Sequence, residues 1–144
     1  MASRATPYSA DACSCSVNGL EISSGRGSDE FIRFEQQEQD YTYKAGIDGE
    51  GCFSQSNNRY TIATLTMMQT SAGNAVLSAL VKAGNLVAGG SMGPFYFEDR
   101  LGNTKVISSA AVLLKMPDEV FGRESGEVTW EIGLHQPERI VGGH

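Results

Sequence analysis

Val128-Thr129-Trp130-Glu131-Ile132-Gly133-Leu134 alternates without a break. Val128, Trp130, Ile132 and Leu134 fall on one face, and Thr129, Glu131 and Gly133 on the other, the period of two that a strand with one buried face requires. Outward from this segment the chain keeps the same β character. Ser14 to Ser23 reads as an early strand or hairpin, with Asn18-Gly19 as its turn. Phe31-Ile32-Arg33-Phe34 and Tyr41-Thr42-Tyr43-Lys44 are short, aromatic and β-prone. Pro94 to Glu98 and Lys105 to Ile107 flank a hairpin connection over Asp99–Thr104, and the second arm runs on to Leu114.

Two segments depart from the simple inside/outside rule. Tyr60 to Met68 carries apolar and threonine side chains on both faces, and Ala110 to Leu114 is apolar on both. Such strands are expected where each face of a sheet is covered, here by a packed helix or another subunit. One helix is specified over about 70–83. Apolar residues fall at 72, 75, 76, 79, 80 and 83, Thr70 or Ser71 can cap the start, and Gly84 can close the end. Gly89 to Gly93 reads as a flexible joint to the second half. The order of elements predicts one mostly-β domain over 1–144, a β-sandwich or barrel with a single flanking helix and a flexible N-terminus over 1–10.

Composition narrows the function. A formal net charge of −6 and the lack of any Lys/Arg cluster exclude a protein that grips nucleic acid through phosphates. Acids gather instead at Asp29, Glu30, Glu35, Glu38, Asp40, Asp48 and Glu50, against only Arg33 and Lys44. They form either a solvated polar face or a surface that repels a polyanion. Cys13, Cys15 and Cys52 are an odd set without a signal peptide, which predicts reduced, mostly buried thiols rather than a disulfide framework. No apolar window is long enough for a membrane span, and no apolar core follows Arg4, so the expectation is a chain that stays in the cytoplasm where it is made.

Candidate chemistry fails on inspection. G-x-S-x-G is absent, and His135 is the one plausible general base because His144 lies at the chain end. The pairs Glu98-Asp99 and Asp118-Glu119 sit beside turn signals, where acids serve solvation and capping. Ala45-Gly46-Ile47-Asp48-Gly49-Glu50-Gly51 looks like a ligand loop, but Cys52 and Phe53 interrupt the alternate oxygen ligands of a calcium loop. No lysine follows Gly51 to make a phosphate loop, and two carboxylates would repel phosphate. No catalytic residue, metal ligand or cofactor is therefore assigned.

The run Gly46-Ile47-Asp48-Gly49-Glu50-Gly51 through Arg59-Tyr60-Thr61-Ile62, then Gln69-Thr70-Ser71, Asn74 and Leu77-Ser78-Ala79-Leu80, resembles the tail tube proteins of contractile-tailed bacteriophages. Val128 to Glu131 and Ile140 to Gly143 are similar to that family's closing strand pair, and Tyr8-Ser9 with Val17 to Leu20 to its first strand. The resemblance implies a fold related to type VI secretion tube proteins and a non-enzymatic virion subunit. It implies hexameric rings stacked into a hollow tube inside a contractile sheath, with DNA passing down the bore.

Implied partners are further copies of the chain, sheath, baseplate and terminator proteins, and a tape measure protein and DNA passing without specific binding, with no membrane. Two site expectations follow. Residues 41–58 form an inter-subunit or inter-ring excursion, with Tyr43, Gly46, Asp48, Gly49, Glu50, Gly51, Phe53 and Arg59 as contact residues. Asp29, Glu30, Glu35, Glu38, Asp40, Asp48 and Glu50 line the bore. The alternatives are a small-ligand or carbohydrate-binding β-sandwich using Phe95, Tyr96 and the Gly89–Gly93 joint, or a related tail or secretion-tube component.

Overall fold

The computed structural model describes residues 8–9, 12–22, 31–88, 90 and 92–142. Strand β9 (Glu127–Leu134) lies beside β6 (Thr61–Met68) along its whole length, antiparallel, with Leu65 opposite Trp130 and Ala63 opposite Ile132. Thr61, Ala63, Leu65, Met67, Trp130, Ile132 and Leu134 are all essentially inaccessible to solvent. Slipping this pair by one residue would turn Glu131 and Thr129 inward, so the alternation fixes the register.

The other strands extend this pair on both sides. β3 (Ile32–Gln36) flanks β6, and on the other side follow β8 (Lys105–Leu113), β7 (Gly93–Asp99), β1 (Cys13–Val17) and β2 (Leu20–Glu21). The short β10 (Glu138–Ile140) pairs the first half of β8, while β9 takes the second half. Among the described pairings this path stays open between β2 and β3, a curled sheet in which no closed barrel is seen. Its curl is tight enough to bring the ring of Phe34 on β3 against Phe95 and Phe97 on β7, with centroids 5.9 and 5.2 Å apart. Asn18 and Gly19 both take positive φ between β1 and β2, the signature of the tight hairpin turn expected there.

Helix α1 (Gly73–Asn85) closes the core from one end. Its buried face is not the alanine stripe. Gly73 and Leu77 are buried, Val76, Leu80 and Val81 half-buried, and Ala72, Ala75, Ala79 and Ala83 exposed. The larger side chains bury more apolar area, so they win the inward face. Gly73 is where the backbone comes closest, since a Cβ there would collide with the Met67 thioether. The helix starts at Gly73, after the expected 70, and its N-cap position is Ala72 with no side-chain cap; Ser71 Oγ accepts instead from the Gly73 N–H. Gly84 does not terminate it, because the helix continues to Asn85 and the Leu86 N–H closes onto Ala83.

Asn74 joins helix to sheet. Its Oδ1 accepts from the indole N–H of buried Trp130 at 2.9 Å, and its amide donates to the carbonyls of Met68 and Gln69. The expected two-sided burial holds only in part. Ile62, Thr64 and Thr66 are half-buried, while Val112 and Leu114 are each about 40% exposed.

Candidate assembly interface

Residues 41–55 leave the sheet altogether. β4 (Tyr41–Ala45) and β5 (Gly51–Gln55) pair only with each other, as a separate two-stranded ribbon whose ten residues are all exposed. The sequence reading placed the β-prone Tyr41 to Lys44 inside an excursion over 41–58; residues 41–55 of it are a hairpin. Gly49 donates to the Gly46 carbonyl and sits at φ +91, and Gly46 donates to the Glu50 carbonyl at 2.6 Å. Only glycine takes that φ without strain. Asp48 Oδ1 accepts from the Glu50 N–H at 3.2 Å, so this carboxylate shapes the turn as well as charging it. Tyr43 lies opposite Phe53 with ring centroids 4.9 Å apart, and a Cβ on Gly51 would strike the Tyr43 ring.

An isolated hairpin is marginal in water, so its stability depends on its root. There Glu38 accepts from Ser56 Oγ at 3.1 Å and from Asn58 Nδ2 at 2.8 Å, and Asp40 accepts from Gln36 Nε2. Gln136, in the β9–β10 turn at φ +41, accepts from the Arg59 N–H at 2.7 Å and donates to the Asn57 carbonyl at 2.6 Å. The ribbon is thus clamped at its base and free at its tip.

These positions locate the expected residues. Gly46, Asp48, Gly49, Glu50 and Gly51 form the tip, Tyr43 and Phe53 the aromatic pair behind it, and Arg59 the root. Glu35 is exposed on β3, Glu38 and Asp40 belong to the root, and Asp29 and Glu30 lie outside the described residues. Sequence reasoning missed Ile47, fully exposed at the apex, and Gln136. Ile47 was legible as the lone apolar residue of a polar turn; nothing near Gln136 signalled its bond across 77 residues.

The alternative ligand site does not assemble. Phe95 is wholly buried and packs edge-on to Phe34, so it offers no face to a sugar. The Tyr96 hydroxyl donates to Glu98 on the same strand; that bond, then burial and the adjacent carboxylate charge, raise its pKa above the ordinary 10.0. Gly89 and Ser91 of the joint lie outside the described residues. Among the described residues no three His, Cys, Asp or Glu side chains converge as metal ligands. Cys13 and Cys15 are buried on β1, and Cys52 is exposed on β5.

What the arrangement can do is make contacts. Ile47, Phe53, Tyr41 and Tyr43 present a large apolar surface on a rigid-rooted ribbon, an exposure that marks an interaction site. A comparison with curated proteins found no match. A model of the family described as Bacteriophage PhiTE tail tube protein matches residues 7–142, nearly the whole chain. The chain therefore belongs to that family, and it is a structural component of a phage tail tube.

Proposed function

We propose that this chain polymerises as hexameric rings stacked into the inner tube of a contractile tail, assembled in the host cytoplasm and retained in the virion, with no catalytic activity. The observation that carries the reading is the ribbon over residues 41–55, which exposes apolar side chains that a soluble monomer has no reason to display. A protrusion that contacts a different surface on the next copy is a heterologous contact, which closes into a ring or propagates as a filament. Half-exposed Val112 and Leu114 supply further surface for a neighbour.

Partners in this reading are other copies of the chain, the sheath on the outside, and baseplate and terminator proteins at the ends. The tape measure protein and DNA pass down the bore. We place Glu35, Glu38 and Asp40, with Asp29 and Glu30, on the bore, where an acidic wall repels a polyanion instead of retaining it, and assign Asp48 and Glu50 at the ribbon tip to the contact between copies. Electron microscopy of the purified protein in negative stain should show rings or tubes with six-fold symmetry. A monodisperse monomer at all concentrations contradicts the reading, and a tube reconstruction with those carboxylates facing the sheath contradicts the lumen assignment.

A further inference from the structure

The ribbon tip has a composition that selects its own receptor. Its apex is Ile47, with no contact to shield it from water, followed by the carboxylates Asp48 and Glu50. A matching surface needs an apolar cleft with a cationic rim and no acid. Four of the cavities among the described residues lie away from the tip. The groove at the ribbon root mixes Asp40 and Glu138 with Arg59, Lys105 and Arg139. The hollow beside Phe31 contains Asp99, and the one beneath residues 116–121 contains Asp118, Glu119 and Glu127.

The fourth cavity, about 360 Å³, lies between the C-terminal half of α1 and the end of β8. Leu80, Val81, Val112, Leu114 and Met116 wall it, and its one charged lining residue is Lys115. At about 30 Å³ per water in the liquid, that volume exceeds what a four-carbon side chain takes. No ribbon residue lines the cleft of its own chain. On the sheet path the ribbon springs from β3 and β6, whereas the cleft lies among β8, α1 and the end of β1.

We infer that the ribbon tip of one copy seats Ile47 in the α1–β8 cleft of a second copy, with Glu50 and Asp48 facing Lys115. This inference rests on the assembly reading above and names the receptor surface that reading leaves open. The pairing covers the exposed halves of Val112, Leu114 and Met116 together with Ile47, so both unburied apolar surfaces are satisfied by one contact. Ion pairing at the rim sets register more than strength.

The test uses the full chain with Cys52→Ser, so that the added thiols are the only exposed ones. Ile47→Cys combined with Met116→Cys should form disulfide-linked ladders of the chain under assembly conditions. Ile47→Cys with Ile107→Cys, in the root groove, should not. Glu50→Lys and Lys115→Glu should each raise the concentration needed for assembly, and the double exchange should lower it again. Ile47→Asn should raise it by about tenfold to a hundredfold, the value of burying one isoleucine. Tubes that form normally while only the Ile107 pair cross-links, or a double exchange that fails to rescue, overturn the receptor assignment and leave the assembly reading standing. Parent protein that never assembles sinks both.

Discussion

Asn74→Ala tests whether the helix is held to the sheet by one buried amide. The indole N–H of Trp130 donates to Asn74 Oδ1 at 2.9 Å, and Trp130 is only 1% exposed, so truncating Asn74 takes the partner from a largely buried donor. Leaving such a donor unpaired costs about 1–3 kcal/mol. The two carbonyls that Asn74 also serves, on Met68 and Gln69, are nearer solvent, and their loss adds little. Alanine recovers about 0.5 kcal/mol through its higher helix propensity. The balance is a loss of about 0.5–2.5 kcal/mol, or about 2–8 °C in Tm for a chain of this size.

Urea unfolding followed by fluorescence reads the change directly, because Trp130 is the one tryptophan in the chain. Asn74→Asp is the control. It keeps an acceptor for the indole, charge-assisted, in the first turn of α1 where a carboxylate is favourable. It should lose less than alanine does, although its second oxygen now faces the Met68 and Gln69 carbonyls instead of donating to them. The reasoning is refuted if Asn74→Ala unfolds within about 0.5 kcal/mol of the parent, or if aspartate is as damaging as alanine.

Gly49→Ala forces a side chain into φ +91 and should cost the ribbon about 1–2 kcal/mol, seen as faster amide exchange over residues 41–55 with β9 amides unchanged. Gln136→Ala removes both bonds from the β9–β10 turn to the ribbon root; limited proteolysis near Asn57 should accelerate by about tenfold with little change in Tm. Tyr96 should deprotonate above 10.0 in an ultraviolet titration, and Glu98→Ala should bring it back down. Since its folded pKa is raised, the stabilisation it provides is complete below pH 10.0 and is lost as pH climbs through the folded value.

The parts of the fold that were legible are those with a local cause. The alternation of Val128 to Leu134 marked a strand and its buried face, while its pairing with β6 came only with the structure. Asn18-Gly19 announced a turn by backbone chemistry alone. Strand β5 was missed because Gly51-Cys52-Phe53-Ser54-Gln55 begins with glycine and holds no β-branched residue. What makes it a strand is Tyr43 lying across Gly51 and against Phe53.

The helix was found but turned the wrong way, since a periodicity count weighs alanine like leucine, whereas burial rewards area. Glu38 and Asp40 looked like simple surface charge, yet each has a partner at the ribbon root that lies four to twenty residues away. The glycines of the tip looked at first like those of a ligand loop. Gly49 and Gly51 have a nearer cause, a left-handed turn and a tyrosine ring. Where the ribbon docks depends on a second copy, and the cleft proposed for it comes together only in the folded chain.

The central claim is that the ribbon builds the tube. Sedimentation velocity on the purified chain, run beside a variant lacking Asp48 to Gly51, tests it most directly. The account predicts a fast-sedimenting polymer for the intact chain and a folded monomer, with the fluorescence of buried Trp130 preserved, for the variant. Polymer of the same size from both proteins would contradict it.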